Sequence, residues 1–201
     1  MNKAGGNSRR RGDALSESIY NATIELIKKG GYVNLTFQEI AQAAKTSRTV
    51  IYRRWQTKFD LIHEIWVYKT KKALGDGELI DKIKDTGSLR GDLLQLLTLY
   101  NKLYTEVGPE IMNAILFEMG QNNKKMAEIT VGATNKNILV MRKLLGFAIA
   151  RGEKIKKVSN TTLTLPFDLI RVEYLIRKDV IDEKRLELLV DEILLPVFLA
   201  P

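Results

Sequence analysis

The sequence predicts an all-α protein of about nine helices, and three observations lead to this fold class. Apolar residues recur every three or four positions through each long segment, which is the spacing of one helix face. No segment shows the strict alternation of apolar and polar residues that a half-buried strand requires. Glycines, prolines and Ser or Thr caps fall between the apolar segments, where helices begin and end.

The first predicted helix spans about Asp13 to Lys29, and Gly30-Gly31 ends it. Its apolar positions repeat at helical spacing, which predicts that one face packs on the segments that follow. Ahead of this helix, the basic run Arg9-Arg10-Arg11 stands among Gly, Asn and Ser residues. That composition indicates a flexible basic arm.

Two short helices joined by a tight turn are predicted next. Thr36 and Glu39 have the spacing of a capping box, in which the Thr hydroxyl accepts from the Glu amide and the Glu side chain accepts from the Thr amide. A turn at Lys45-Thr46 follows, and Ser47 is placed to cap a second helix that runs to Trp55. This order of elements predicts a helix-turn-helix, and the helix before it is the third member of the bundle.

The second of these short helices has two faces. One face carries the apolar residues Val50, Ile51 and Trp55. The opposite face carries Arg48, Thr49, Tyr52 and Arg53. Guanidinium groups can bond guanine bidentately in the major groove, so this helix is predicted to recognise DNA bases. The alternative is a basic face that only contacts water.

Residues beside the helix-turn-helix are predicted to contact the DNA backbone. Thr57 and Asp60 repeat the capping spacing, which places the Lys58 ammonium next to a helix N-terminus as a phosphate clamp. The basic arm has two open interpretations, a solvated tail or a contact with the minor groove or phosphates. The predicted DNA-binding residues are Arg9, Arg10, Arg11, Thr36, Gln38, Ser47, Arg48, Thr49, Tyr52, Arg53 and Lys58.

The distribution of charge supports this interpretation. Residues 1–60 hold 11 Lys and Arg against 5 Asp and Glu, a net charge of +6 out of the +8 of the whole chain. The other 141 residues therefore carry only +2. Positive charge concentrated around one motif is typical of a DNA-binding domain.

These residues resemble those of the TetR family of transcriptional regulators. The resemblance rests on Gly31-Tyr32, Leu35-Thr36, Ile40-Ala41, Ser47, the run Ile51-Tyr52-Arg53-Arg54-Trp55, Thr57-Lys58 and Leu61. Lys45 stands where the family usually has glycine, and Gln56 stands where one branch has proline. The segment from Asp85 to Leu93 also resembles the start of the ligand-binding domain in one branch. The resemblance implies a homodimer with a ligand-binding C-terminal domain.

The remaining segments divide the chain into two predicted domains. A linking helix from Lys58 to Leu74 ends at Gly75, so a DNA-binding domain is expected over residues 1–74 and a ligand-binding and dimerisation domain over 75–201. Within the second domain, helices are predicted over 88–107, from Pro109 onward, and over 124–151.

The last two predicted helices, 164–177 and 182–199, carry apolar residues on more than one side. Such a pattern indicates either deep burial within one chain or, as we favour, burial between two copies in a two-fold four-helix interface. The predicted interface residues are Leu175, Leu186, Leu189, Val190, Ile193, Leu194 and Val197.

A ligand pocket is predicted among methionine and aromatic residues of the second domain, which are otherwise ordinary core. Its predicted residues are Tyr100, Tyr104, Met112, Ile115, Leu116, Met119, Met141, Phe167 and Tyr174. Because the region has a slight positive excess and no obvious acidic cluster, the expected effector is apolar or anionic, such as a fatty acid or acyl-CoA.

Composition argues against several other functions. The chain has no cysteine and a single histidine, His63, so no metal site, cofactor or enzyme chemistry is expected. No apolar run is long enough to span a membrane and no secretory signal is recognisable, so a cytoplasmic location is expected. The leading hypothesis is a repressor that binds a palindromic operator as a homodimer. The alternatives are a nucleoid-type DNA-binding protein and a small-molecule-binding module without a DNA role.

Overall fold

A computed structural model describes residues 5–121, 123–177 and 181–200, and it confirms the all-α fold class. Apart from one isolated β-bridge, no strand occurs in this part of the chain. The α-helices are α1 Gly5–Asn34, α2 Phe37–Ala43, α3 Arg48–Arg54, α4 Lys58–Leu74, α5 Leu79–Lys82, α6 Leu89–Val107, α7 Pro109–Met119, α8 Lys124–Ala150, α9 Asn160–Val172, α10 Glu183–Leu188 and α11 Leu195–Phe198. Two π-helical turns, Glu173–Arg177 and Leu189–Leu194, extend α9 and join α10 to α11.

The contacts between residues divide the chain into two compact units. The N-terminal unit runs to Tyr68 and also contains Glu110–Glu118, which is most of α7. The C-terminal unit contains the other described residues. The expected boundary between 74 and 75 does not anticipate that a segment from the middle of the chain packs with the helix-turn-helix.

Helix α1 differs from the prediction at its start. It begins at Gly5 and not near Asp13, so the backbone of Arg9, Arg10 and Arg11 is helical and the predicted flexible arm is wrong as a description of this segment. Arginine is a good helix former, which favours extension of the helix through the basic run. At the other end, Gly31 has φ 76° and ψ 158°, so the regular helix is interrupted where the glycine pair predicts its end.

Side-chain caps form the observed helix ends, at Ser47 as predicted and at Ser88, which the sequence predicts to lie inside the helix. The hydroxyls of Ser47 and Ser88 accept hydrogen bonds from the amides of Val50 and Gly91, at 3.3 and 3.1 Å. Gly108 follows the end of α6 with φ 83°, and Pro109 then begins α7. Because these signals act over a few residues, the sequence locates such ends well.

Helix α9 starts earlier than predicted. It begins at Asn160 after the cap Ser159, whereas the sequence predicts a start at Thr164. Pro166 therefore lies inside the helix and is buried. A proline lacks the amide that would bond four residues back, and this argues against a helix that starts before it. The apolar face of α9 packs on α6 and α8, and this packing outweighs the missing hydrogen bond.

A buried carboxylate joins the start of α6 to the end of α8 within the C-terminal unit. Asp92 is fully buried, and its Oδ1 accepts from the amide and the hydroxyl of Thr86 at 2.8 and 2.7 Å. Its Oδ2 accepts from the Arg151 guanidinium at 2.8 Å. Arg151 also pairs with Asp85 and with Glu153, and the Glu153 carboxylate accepts from the amide of Leu89. The segment from Asp85 to Leu93, which resembles a family motif, thus connects the start of α6 to the end of α8.

The residues predicted for a dimer interface fall into two groups. Leu186, Leu189, Val190 and Leu194 are buried within the described chain. A side chain that is already inside its own protomer has no apolar surface left for a partner, so the prediction is wrong for these four. Leu175 and Val197 are partly exposed and Ile193 is exposed, and for these three the interface stays a prediction.

Candidate nucleic-acid interface

The inner side of α3 is fixed in the N-terminal unit by apolar burial and by one carboxylate. Ile51 is fully buried and Trp55, the C-cap residue, is 1% exposed, whereas Val50 is only partly buried. The Trp55 indole N–H donates to the Glu64 carboxylate of α4 at 2.8 Å. A buried indole needs such an acceptor, so Glu64 satisfies the polar atom of the largest side chain behind α3.

Glu64 also receives donors from α1 and from α3. The Tyr20 hydroxyl donates to it at 2.5 Å, and the Arg54 guanidinium donates at 3.3 Å. Burial, and then the hydrogen bond to this carboxylate, raise the pKa of Tyr20 well above its usual value of 10, so the hydroxyl remains a donor at neutral pH. The end of α3 is therefore joined to both α1 and α4. Sequence reasoning missed Glu64, because only the need of Trp55 for an acceptor points to it.

The outer side of α3 carries the four side chains predicted to meet DNA bases. Arg48, Thr49, Tyr52 and Arg53 are all exposed, and Tyr52 is 57% exposed although it is aromatic. Its ring packs edge to face on the buried Phe37 of α2, with 5.1 Å between centroids and an interplanar angle of 86°. Tyr52 is therefore held in place while its hydroxyl side remains accessible.

Adjacent arginines in α3 have different roles. Arg54 donates to the Ser16 hydroxyl at 2.8 Å, and its guanidinium lies 4.6 Å from the centroid of the Trp55 ring. Arg53 is exposed, and among the described residues no hydrogen bond or ion pair is found for it or for Arg48. The structure thus separates a packing arginine from two outward-facing ones.

Thr36, Gln38 and Ser47 are also exposed beside this surface. Thr36 and Glu39 form the complete capping box, with the Glu39 amide 3.2 Å from the Thr36 hydroxyl and the Thr36 amide 3.1 Å from the Glu39 carboxylate. Thr36 and Ser47 therefore have a local structural role as helix caps, and their contact with DNA stays a prediction. The side chains of Arg9, Arg10 and Arg11 lie outside the described part of the molecule.

The ammonium of Lys58 makes contacts that the sequence does not indicate. It donates to the carbonyls of Tyr32 and Val33 at 3.3 and 3.0 Å, and it lies 5.0 Å from the centroid of the Tyr32 ring. The amide of Asp60 is capped by the Thr57 hydroxyl at 3.1 Å. The expected phosphate clamp is therefore not preformed, because Lys58 stabilises the end of α1, and a role for it on DNA stays a prediction.

The turn of the helix-turn-helix contains a backbone conformation that favours glycine. Lys45 has φ 51° and is the one non-glycine residue with positive φ that the described ranges contain. We expect Lys45→Gly to raise the free energy of unfolding by about 1 kcal/mol, because glycine adopts this conformation without steric cost. In thermal unfolding this corresponds to a rise in Tm of about 2–4 °C. Lys45→Ala keeps the strain and removes the charge, so an equal gain in that variant would contradict the backbone explanation.

Comparison with known proteins decides the family. Residues 83–193 match the family described as tetracyclin repressor-like, C-terminal domain, and residues 19–65 match bacterial regulatory proteins, tetR family. The chain belongs to the TetR family. Members of the TetR family are DNA-binding transcription factors and not enzymes, and the resemblance predicted from the N-terminal motifs is confirmed. This chain is accordingly a transcriptional regulator with a helix-turn-helix and a C-terminal ligand-binding domain.

Individual TetR-family relatives agree with this assignment. The DNA-binding transcriptional repressor TetR of Mycobacteroides abscessus is 24% identical over 143 residues, which cover 71% of this chain and 72% of that protein. An HTH-type transcriptional regulator of Mycobacterium tuberculosis, itself uncharacterized, is 25% identical over 181 residues, which cover 87% of this chain and 83% of that protein. The crystal structure of a TetR-family regulatory protein from Rhodococcus RHA1 shares the fold, with a TM-score of 0.70 and 16% identity over 93% of this chain and 98% of that one.

The residues predicted to bind a ligand are only partly brought together. In the C-terminal unit, the ring of Tyr100 lies 5.4 Å from Tyr104 and 4.9 Å from Phe167, and Tyr104 lies 5.4 Å from Tyr174. Met141 is buried in the same unit, whereas Met119 is 46% exposed. The other three predicted residues belong to the segment of α7 assigned to the N-terminal unit: Met112, which is buried, Ile115, which is partly buried, and Leu116, which is exposed. The sequence therefore predicts the aromatic cluster but not that three of the predicted residues belong to the other unit.

Two polar side chains at the aromatic cluster were missed by sequence reasoning. The Tyr100 hydroxyl donates to the side-chain oxygen of the buried Asn137 at 3.4 Å, and the Arg171 guanidinium donates to the Tyr104 hydroxyl at 3.4 Å. Burial raises the pKa of both Tyr100 and Tyr104, so both hydroxyls stay protonated at neutral pH. The cluster thus combines apolar rings and neutral hydrogen-bonding groups with Arg171, whose guanidinium also pairs with Asp168 at 2.8 Å.

Other kinds of site find no support in the described residues. His63 packs against Phe59 with 5.9 Å between ring centroids. No group of three or more His, Cys, Asp or Glu side chains placed to hold a metal ion occurs in the ranges described. Within the same ranges, no helix is long and apolar enough to cross a membrane.

Proposed function

We propose that this TetR-family regulator is a repressor that binds a palindromic operator as a homodimer and is released from it by a hydrophobic or acyl-CoA-like effector. The observation that carries the proposal is the outer side of α3, where two exposed arginines, Thr49 and Tyr52 project from a helix whose inner side is fixed. Such a surface suits the edges of bases in the major groove.

Exposed apolar side chains support a homodimer. Val172, Ile176, Leu188 and Ile193, on the last helices of the C-terminal unit, are between 36% and 74% exposed. Large exposed apolar side chains close in sequence are typical of a protein interface. A dimer would present two copies of α3 to DNA, which suits half-sites roughly 34–36 Å apart or a multiple of that distance.

The test is selection of binding sites from random duplex DNA at near-physiological salt, with the wild type and Arg53→Ala in parallel. We expect the wild type to enrich a palindrome, and we expect Arg53→Ala to bind it more weakly by about 1–3 kcal/mol with relaxed specificity at one base pair of each half-site. Arg54→Lys is a matched control, because Arg54 points to Ser16 and Glu64. Salt-sensitive binding without an enriched sequence would instead favour a nucleoid-type protein.

The proposed effector is apolar with an anionic group, as in a fatty acid or acyl-CoA. The packed rings of Tyr100, Tyr104 and Phe167 supply apolar surface. The Arg171 guanidinium lies beside the Tyr104 hydroxyl and supplies a positive charge, which it also shares with the partly exposed Asp168 at 2.8 Å. This combination supports an anionic ligand over a cationic one.

Palmitoyl-CoA and palmitate are suitable probes for this effector class. We expect at least one of them to bind with micromolar or better affinity and to weaken the operator complex at least tenfold. Arg171→Gln keeps a hydrogen-bond donor but removes the charge, and should reduce the effect of the anionic probes. If neither probe binds, or if binding leaves operator affinity unchanged, the proposed effector class is wrong.

A further inference from the structure

Tyr32, at the end of α1, is held by a segment that is distant in sequence. The residue is 6% exposed, and its hydroxyl donates a short hydrogen bond to the Glu118 carboxylate of α7. The Tyr32 ring packs edge to face on Phe117, with 5.6 Å between centroids and an interplanar angle of 67°. Two consecutive residues of α7 therefore contact the same side chain of the helix-turn-helix unit.

The same tyrosine also contacts the first turn of α4. The Lys58 ammonium lies over the Tyr32 ring and donates to the carbonyls of Tyr32 and Val33. Lys58 lies four positions after the last residue of α3, so a shift of Lys58 would also shift the end of α3. Cation–π contact and charged hydrogen bonds together fix this turn against the ring.

The Tyr32 hydroxyl is a permanent donor to α7. Burial, and then the hydrogen bond to Glu118, raise the pKa of Tyr32 well above 10, so the proton remains on the phenol at neutral pH. The α7 segment Glu110–Glu118 is joined at both ends to residues of the C-terminal unit. Through its contact with Tyr32, this segment packs within the N-terminal unit.

We propose that Tyr32 is a positioning residue for DNA binding, and that its hydrogen bond to Glu118 holds α7 and the first turn of α4 in the arrangement that binds the operator. This inference rests on the proposed function, because the role of the Tyr32–Glu118 pair is to maintain affinity for the operator. A movement of α7 would break or strain the bond and would act on α3 through Lys58, without any change in the outward-facing arginines.

The test is a double-mutant cycle on operator affinity in the full-length protein, with the palindrome selected by the wild type. Tyr32→Phe keeps the ring on Phe117 and under Lys58 but removes the hydroxyl, and Glu118→Ala removes the acceptor. Each single variant should lower operator affinity about fivefold to tenfold, and the double variant should lower it no further. Glu118→Gln retains an oxygen acceptor and should recover at least half of the loss.

Tyr68→Phe is a matched control within the same unit. The Tyr68 hydroxyl donates to the Glu17 carboxylate at 2.6 Å, which is a bond of the same kind that does not involve α7. We expect this variant to lower Tm no more than Tyr32→Phe does, because its bond is more exposed, and to retain operator affinity within twofold. Equal loss in the two tyrosine variants, or additive losses in the cycle, would overturn the inference.

Amide hydrogen exchange in the DNA-free protein separates this inference from the proposed function. Tyr32→Phe should speed exchange in residues 110–118 at least threefold, whereas Tyr68→Phe should not. If the wild type selects no palindrome, the proposed function fails on that result alone. If exchange over 110–118 is unchanged in Tyr32→Phe, the inference fails whether or not an operator exists.

Discussion

Replacing Trp55 by alanine is expected to lower the free energy of unfolding of the N-terminal unit by about 4 kcal/mol, within the 3–5 kcal/mol typical of buried aromatic residues. The side chain is 1% exposed, and its ring packs on Tyr20 at 6.4 Å between centroids. The substitution also removes the indole N–H that donates a hydrogen bond to Glu64. Urea unfolding followed by circular dichroism measures the change.

Trp55→Phe separates the two contributions to this effect. Phenylalanine restores most of the buried apolar surface but cannot donate to Glu64, so we expect a smaller loss of about 1–2 kcal/mol. Operator affinity should fall in parallel with stability, since only Ile51 and the C-cap residue Trp55 are fixed by burial behind the described α3. A loss below about 1 kcal/mol in the alanine variant would show that Trp55 does not hold α3 in place.

Replacing Asp92 by alanine is expected to lower the free energy of unfolding by about 3 kcal/mol, because the change breaks a buried ion pair and leaves its partners unsatisfied. The amide and hydroxyl of Thr86 lose their acceptor, and Arg151 loses its most buried carboxylate. Differential scanning calorimetry should show a fall in Tm of about 6–12 °C.

Asp191→Ala is the matched control for this change. Asp191 also pairs with an arginine, Arg90, at 2.7 Å, but both side chains are exposed at the surface. Such a pair is screened by water, so the variant should unfold at nearly the wild-type temperature. An equal fall in Tm for both aspartates would mean that burial does not decide the effect.

The sequence predicts those parts of the fold and of the candidate interface that depend on neighbouring residues. The capping box at Thr36, the cap at Ser47 and the opposed faces of α3 are each decided within a few positions. The positive φ at Lys45 is indicated by the glycine that the family usually has at this position. For this reason the outline of the helix-turn-helix is predicted closely.

Contacts between distant segments are not encoded in such local patterns. The acceptor for Trp55 is nine residues away at Glu64, and the partner of Tyr32 lies 86 positions away at Glu118. Side chains of these types are common on any solvated helix, so their spacing carries no signal. The contacts of Lys58 were missed for the same reason, because its ammonium binds carbonyls 25 and 26 residues earlier.

Four residues predicted for the dimer interface are buried within the chain, and the reason is that the period of the last helix is not that of a regular α-helix. Leu186, Val190, Leu194 and Phe198 are all buried, and they are spaced by four residues throughout. In an ideal helix of 3.6 residues per turn this stripe would drift around the surface. The π-helical turn Leu189–Leu194 accommodates about one extra residue and keeps the stripe on one side. The buried stripe therefore belongs to the core of one chain, and the exposed Leu188 and Ile193 lie off it.

This wider turn has a consequence for comparing the protein with its homologues. A relative whose last helix is a regular α-helix should align with a one-residue gap inside 189–194, and an ungapped alignment would pair core positions with surface positions downstream. Deletion of Asp191 from this chain would rotate the following residues by about 100°. Phe198 would leave the core, and the pairing of Ala200 with Lys154 across the loop after α8 would be lost. Insertions and deletions are therefore expected to be tolerated less at this turn than substitutions.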